Sequence, residues 1–230
     1  MQPDLKSWFE QRMGAYLLHQ ERTLLSQVLP TVFGYYMAQT GVWGPPGELM
    51  QSSAIRTRFI VDPQCEAGVQ LCAHPDNLPL AGDSVDALLL PHTLEYSADP
   101  TRVLREAERV LVGEGHIIIL GFHPWGPWAL RRFFKSNAPW KGSYVRAGRL
   151  KEWLRVLGFE TVDVRHCLFR PAFTRRALTH AAFLERLHWR LTASAYMLVA
   201  RKRVFGVTPL RLKRVKPRRA FAGIVNPTAR

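Results

Sequence analysis

Residues 84–121 read SVDALLLPHTLEYSADPTRVLREAERVLVGEGHIIILG, and the fold turns on this stretch. Val85–Leu90 is an apolar run that breaks at Pro91-His92. Asp99-Pro100 then supplies a helix start, because an Asp side chain accepts the orphan N–H groups of a first turn and proline has no N–H to orphan there. Val103, Leu104, Ala107, Val110 and Leu111 fall on one stripe at helical spacing. Gly113 and Gly115 are expected to end that helix, and His116–Leu120 is short, β-branched and apolar, as in a strand covered on both faces. Strand, helix and strand in this order form a parallel pair with a right-handed crossover, so a ligand site lies beyond the carboxyl ends of the strands. Those ends are Pro91-His92 and Gly121-Phe122-His123.

Upstream, the same alternation continues. Tyr35–Thr40 reads as a first strand, closed by Gly41-Val42-Trp43-Gly44 and a turn-rich Pro45-Pro46-Gly47, with a short helix expected over Glu48–Ser53. Arg58–Val61 reads as a second strand ending at Asp62, and Val69–Ala73 as a third ending at His74-Pro75-Asp76. Repeated βαβ units predict an α/β, doubly wound, mostly parallel sheet. Before it, Leu5, Trp8, Phe9, Met13, Tyr16, Leu17, Leu24 and Leu25 fall mostly at helical intervals, predicting one or two helices that cap the sheet or a pocket. After it come a Trp-, Pro- and Gly-rich insertion, a helix over Ala147–Leu157, a strand over Glu160–Arg165, helix around Thr174–His188 and a last strand over Tyr196–Ala200. The organisation expected is a helical cap over residues 1–30, one α/β domain over 31–205 with an insertion at about 123–148, and a basic, poorly ordered tail over 206–230.

The 230 residues suffice for one domain with a substantial core. The net charge of +14 is unevenly spread: ten of the 32 basic residues follow Ala200, where there is no acid, so residues 1–200 hold 22 against 18, or +4. The basicity therefore speaks for the tail, and suits nucleic acid or an anionic surface there. Cys65, Cys72 and Cys167 show no metal spacing and are expected to be reduced thiols; no metal site is expected. No stretch has the length and hydropathy of a secretory leader or a membrane span, so a cytoplasmic protein without a transmembrane segment is expected.

Gly41 and Asp62 stand 21 residues apart, close to the ~20 that separate a glycine turn from a ribose-binding acid in dinucleotide folds. With His74-Pro75-Asp76-Asn77-Leu78-Pro79-Leu80, Pro91-His92-Thr93-Leu94-Glu95 and Leu104-Arg105-Glu106 through Leu111, this resembles the class I S-adenosylmethionine (SAM) methyltransferases, in their type 11-like small-molecule branch. The resemblance covers roughly residues 35–165 and implies a Rossmann-like seven-stranded sheet, SAM as cofactor, and methyl transfer to a small or medium-sized acceptor. It implies cofactor roles for Gln39, Gly41, Gly44, Asp62, His74, Pro75, Asp76, Pro91 and His92. The chain departs from the family in two places. Gln39 replaces the usual acid and Val42-Trp43 displaces the second glycine of the turn, so the glycine motif is degenerate; His74 replaces the acid of the adenine loop.

Methyl transfer from a sulfonium needs alignment and desolvation more than an acid or base. Where a base is needed, His92, Tyr96 and His123 are the candidates by position at the strand ends. The plainer alternatives are that these residues line the cleft without chemistry, that Glu95 is a helix-start acid, and that Asp62 only starts a turn before Pro63. Trp125, Trp128, Phe133, Phe134 and Trp140 read equally as a substrate lid or as packing. Two further readings remain: a non-catalytic binding or regulatory protein that kept the fold and lost SAM, and an RNA-directed methyltransferase using its tail.

Overall fold

The computed structural model describes residues 3–124, 142–168 and 193–204. The insertion aromatics Trp125–Trp140, the helix expected at 174–188 and the tail from 206 lie outside them. Seven strands form one sheet in the order β3-β2-β1-β4-β5-β7-β6, where β1 is Tyr36–Thr40, β2 Thr57–Asp62, β3 Leu71–Cys72, β4 Val85–Pro91, β5 Leu111–Phe122, β6 Phe159–Leu168 and β7 Ala193–Lys202. All pairs are parallel except those made by β7, which runs antiparallel to β5 and β6. The order reverses direction between β1 and β4, and ligand crevices of open α/β sheets form at such a switch point.

The strands alternate between two cores, as the period of two requires. Met37, Ile60, Leu89, Ile118 and Met197 face one cluster; Ala38, Val61, Leu88, Ile119 and Leu198 face the other. The second face is covered by α4 (Pro100–Val110) and α5 (Ala147–Val156), through Val103, Leu104, Ala107, Leu150 and Leu154. Asp99 caps α4 by accepting from Thr101 N and Arg102 N, as its sequence predicts. The first face has a different cover. The β1-to-β2 connection holds only a 3₁₀ turn at Glu48–Met50, entered through Gly47 in the left-handed region and shorter than the helix expected over Glu48–Ser53. The area is filled by α1 (Pro3–Glu10) and α2 (Arg12–Val28), whose Leu5, Phe9, Leu17 and Leu25 join the core.

Two local readings need correction. Gly113 and Gly115 do not terminate α4; the helix stops at Val110 and β5 begins at once, because Leu111 pairs with Val85. The glycines lie inside β5, where the register shifts; a Cβ on Gly115 would sit 2.8 Å from Val112 O and 3.1 Å from Asp86 O, so the strand passes its neighbour too closely for a side chain. Cys65 and Cys72 are not reduced thiols but a disulfide: the loop after β2 turns back and brings their Cα atoms to 5.4 Å, within bonding range. Cys167 is free and buried.

Candidate functional site

The carboxyl ends of β1 to β4 enclose a cleft of about 340 Å³. Thr40 and Gly41 line it from β1, Pro63 from β2, His74-Pro75-Asp76 from beyond β3, and His92, Thr93 and Tyr96–Ala98 from beyond β4 and α3 (Thr93–Tyr96). Gly41 sits at φ 78 and gives its N–H to Val61 O at 2.8 Å, a turn that a β-carbon would strain. Thr40 Oγ1 lies 2.5 Å from Thr93 Oγ1, which itself donates to Pro91 O, so the ends of β1 and β4 are tied together. Pro91 closes β4 as the partner of Leu120 and contributes its carbonyl rather than a cleft surface. Among the described residues there is no group of three metal-ligating side chains.

His92 is the centre of the arrangement. It adopts the left-handed region at φ 48, extends the ladder by donating N–H to Leu120 O, and is 1% exposed. Its Nε2 meets Glu21 Oε1 at 2.9 Å and its Nδ1 meets Glu95 Oε2 at 3.1 Å, while its ring stacks on Phe122 with centroids 4.2 Å apart. Burial alone would lower its pKa, but Glu21 and then Glu95 outweigh it and push the imidazole up to about 10. At neutral pH His92 is therefore a buried imidazolium with both N–H groups donated to carboxylates. Holding both ring nitrogens on Glu21 and Glu95 argues against a role as a base, for which the sequence made His92 a candidate. Glu95 also accepts from Phe122 N, so it fixes the end of β5; it is not merely a helix-start acid.

Tyr96 lines the cleft with a phenol whose pKa is driven up by burial, then by Glu95 and Tyr144, which keeps it protonated. His123 lies just beyond Phe122, half buried, 5.9 Å from the His166 ring, and outside the cleft lining. Burial and then His166 lower its pKa, so its imidazole is neutral at pH 7.

At the glycine turn the cleft is closed. Trp43 is buried, donates from Nε1 to Thr40 O at 3.2 Å, and meets Phe9 and His92 edge-on with centroids 4.9 and 5.5 Å apart. Gln39 donates from Nε2 to Gly41 O at 2.8 Å, and its buried Oε1 has no partner. Asp62 is wholly buried; its carboxylate accepts from Gln64 N at 2.9 Å and Val42 N at 3.3 Å and lies 3.6 Å from Lys6 Nζ of α1. Gly44, at φ 64, belongs to a second cavity of about 640 Å³ between α1, α2 and the turn, whose rim charges pair among themselves, Arg22 with Glu48 and Lys6 with Glu66.

The structure thus joins Gly41, His74, Pro75, Asp76 and His92 in one cleft, and sets Gln39, Asp62 and Pro91 in its supporting wall. Sequence reasoning missed Glu21, Lys6 and the Phe9–Trp43 contact. A signal for Glu21 was present: at helical spacing between Leu17 and Leu25 it is an acid on the buried stripe of α2.

The family described as "Methyltransferase domain" matches residues 53–119. An uncharacterized protein of Escherichia coli K12, YafS, is 34% identical over 155 residues, covering 65% of this chain and 62% of that protein. Rv2003c, an uncharacterized protein of Mycobacterium tuberculosis H37Rv, is 27% identical over 178 residues, covering 72% and 60%. The chain spans about three fifths of the length of these relatives. Among solved structures, a SAM-dependent methyltransferase of Thermotoga maritima superposes with TM-score 0.60 at 17% identity, covering 85% of this chain and 97% of that one. Another from Archaeoglobus fulgidus gives 0.57 at 19% identity, covering 81% and 99%. These two likenesses establish the fold.

Proposed function

We propose that the chain, which has the fold of class I SAM-dependent methyltransferases and matches the family described as "Methyltransferase domain" over residues 53–119, binds SAM in the cleft and transfers a methyl group to a small or medium-sized acceptor. The observation that carries this reading is the cleft itself, which gathers the resembling residues of four successive strand ends into a volume of about 340 Å³, within the ordinary range for small ligands. The residues present fit the group. His74-Pro75-Asp76 would flank the adenine in the open cleft, while Asp62 would reach the ribose, and Gly41 with Gln39 the methionine part, only once Lys6 leaves Asp62 and the glycine turn opens; the buried, unpartnered Gln39 Oε1 would then supply an acceptor for an ammonium. SAM, when bound, supplies an electrophilic methyl on a sulfonium.

The chain's own residues do the rest. Trp43, Phe9 and Phe122 exclude water beneath His92. The Glu21–His92–Glu95 chain holds the loop after β4 in its left-handed turn, so the acceptor wall is set before a ligand arrives. Tyr96, kept protonated, can donate a hydrogen bond but not take a proton.

A second reading is favoured by one specific observation: Asp62 is already satisfied by backbone N–H groups and Lys6, as in a protein that kept the fold without the cofactor. Equilibrium dialysis with labelled SAM separates the two. Saturable binding that weakens ten- to a hundredfold in Asp62→Asn, a loss of ~1.5–3 kcal/mol, supports the enzyme. Absence of binding by the folded native chain establishes the second reading.

A further inference from the structure

The Cys65–Cys72 bond stands at a joint of the cleft. It links residues 7 apart in sequence, between Asp62 at the end of β2 and the His74-Pro75-Asp76 segment that lines the open side. β3, which carries Cys72, is an edge strand of two residues, Leu71 opposite Val61 and Cys72 opposite Asp62, and so short a ladder holds little by itself. Burial adds little more, since Cys65, Glu66 and Ala67 are all exposed. The covalent link is therefore a main restraint on this loop. Both cysteines are exposed, which leaves the bond open to attack by a thiolate from solution.

The side chains of this loop grip α1. Lys6 Nζ meets Glu66 Oε2 at 2.5 Å and Gln64 Oε1 at 3.3 Å, and it stands 3.6 Å from Asp62. Glu66 lies inside the loop that the bond closes and Gln64 directly before it, so two contacts that keep the ammonium over Asp62 depend on the loop's position. Leu5, Trp8 and Phe9 seat α1 in the core by themselves, and Lys6 is the part of the helix that the loop governs. The open side of the cleft has its own anchors: Asn77 N donates to His74 O at 3.0 Å, and Leu78 N to Glu106 Oε1 at 2.7 Å. Loss of the bond would loosen the hold on Lys6 and leave residues 74–77 in place.

We propose that the Cys65–Cys72 bond is a redox switch on the cleft: oxidised, it fixes Gln64 and Glu66 so that Lys6 covers Asp62; reduced, it releases the loop, and Lys6 leaves the carboxylate to a ligand. The reductant is a dithiol. One of its thiolates attacks a sulfur of the bond, the other cysteine leaves as a thiolate and takes a proton, and the second thiol of the dithiol resolves the mixed disulfide. The chain gains two electrons and two protons, and the dithiol becomes its own disulfide. The freed loop regains conformational freedom, and its contacts with Lys6 become intermittent. The consequence for affinity rests on the reading of the cleft as a SAM site; the release of Lys6 does not.

The test uses the full chain purified without reductant. Denatured and titrated with a maleimide, it should show Cys167 as its one free thiol, and all three cysteines after dithiothreitol. S-adenosylhomocysteine is then titrated calorimetrically into the oxidised chain, the dithiothreitol-reduced chain and Cys65→Ser/Cys72→Ser. Binding tighter by about two- to fivefold is expected in the last two, the scale of one partly exposed ion pair. In Lys6→Met the dependence on dithiothreitol should vanish. Amide exchange without ligand gives a second readout, and α1 should exchange faster after reduction. Three free thiols in the chain as purified, affinity that is equal or weaker after reduction, or redox dependence that persists in Lys6→Met overturns the proposal. If no form binds the ligand, the SAM reading fails and exchange alone decides the switch: faster exchange in α1 on reduction upholds it, and unchanged exchange overturns it.

Discussion

Where β3 and β4 end, the cleft is lined by His74-Pro75-Asp76, Thr93 and Tyr96 and stays open; where β1 ends, Trp43 fills it and α1 lies across it with Lys6 on Asp62. The open half departs from the resembling family's pattern only at His74, and the closed half departs from it at Gln39 and Val42-Trp43. The two facts are connected. The β1-to-β2 connection lacks a helix, α1 and α2 take over its side of the sheet, and their Phe9 and Glu21 reach the indole and His92. A motif has changed in the place where another element now supplies the packing.

The sharpest way to break this comparison is His92→Leu, which leaves Glu21 and Glu95 buried with no cation between them. A loss of ~3–5 kcal/mol in urea unfolding at pH 7 is expected, the cost of unpairing buried charge; a loss under ~1 kcal/mol would mean that the helices are not locked through this residue. The same group sets a pH dependence. Its folded pKa of about 10 lies above the 6.5 of the unfolded chain, so its contribution is complete below pH 6.5 and is lost as pH rises through 10. Unfolding free energy should therefore decline from pH 7 to pH 10 more steeply in the native chain than in His92→Leu.

A smaller effect is expected at the closed half. Lys6→Met removes the cation beside Asp62 and should tighten binding of S-adenosylhomocysteine severalfold, up to about tenfold, in a calorimetric titration. Weaker binding would show instead that Lys6 contacts the ligand. The smallest effect belongs to the other face of the sheet, where Asp99→Ala should lower Tm by only about 2–4 °C and leave ligand affinity unchanged, because it uncaps α4 alone.

What could be read from sequence was local. Asp99-Pro100, the helical stripe of α4 and the apolar runs of β4 and β5 each carry their own signal within a few residues, and they place the cleft. The start of β5 was misread because two glycines are a strong local stop, whereas pairing of Leu111 with Val85 is tertiary. The Cys65–Cys72 bond likewise depends on how the loop after β2 returns, which spacing alone does not state. The position of His92 at the end of β4 was legible in the sequence, but its contact with Glu21, 71 positions away, was not.

The account rests on the open half being the adenosyl site and the closed half being a latch, and amide hydrogen exchange with and without S-adenosylhomocysteine tests both at once. Slower exchange is predicted at Gln64, at residues 74–77 and at residues 92–98, together with faster exchange in α1 as Lys6 gives up Asp62. Unchanged exchange in the cleft segments at saturating ligand, or protection confined to α1 and the cavity between α1 and α2, would contradict it.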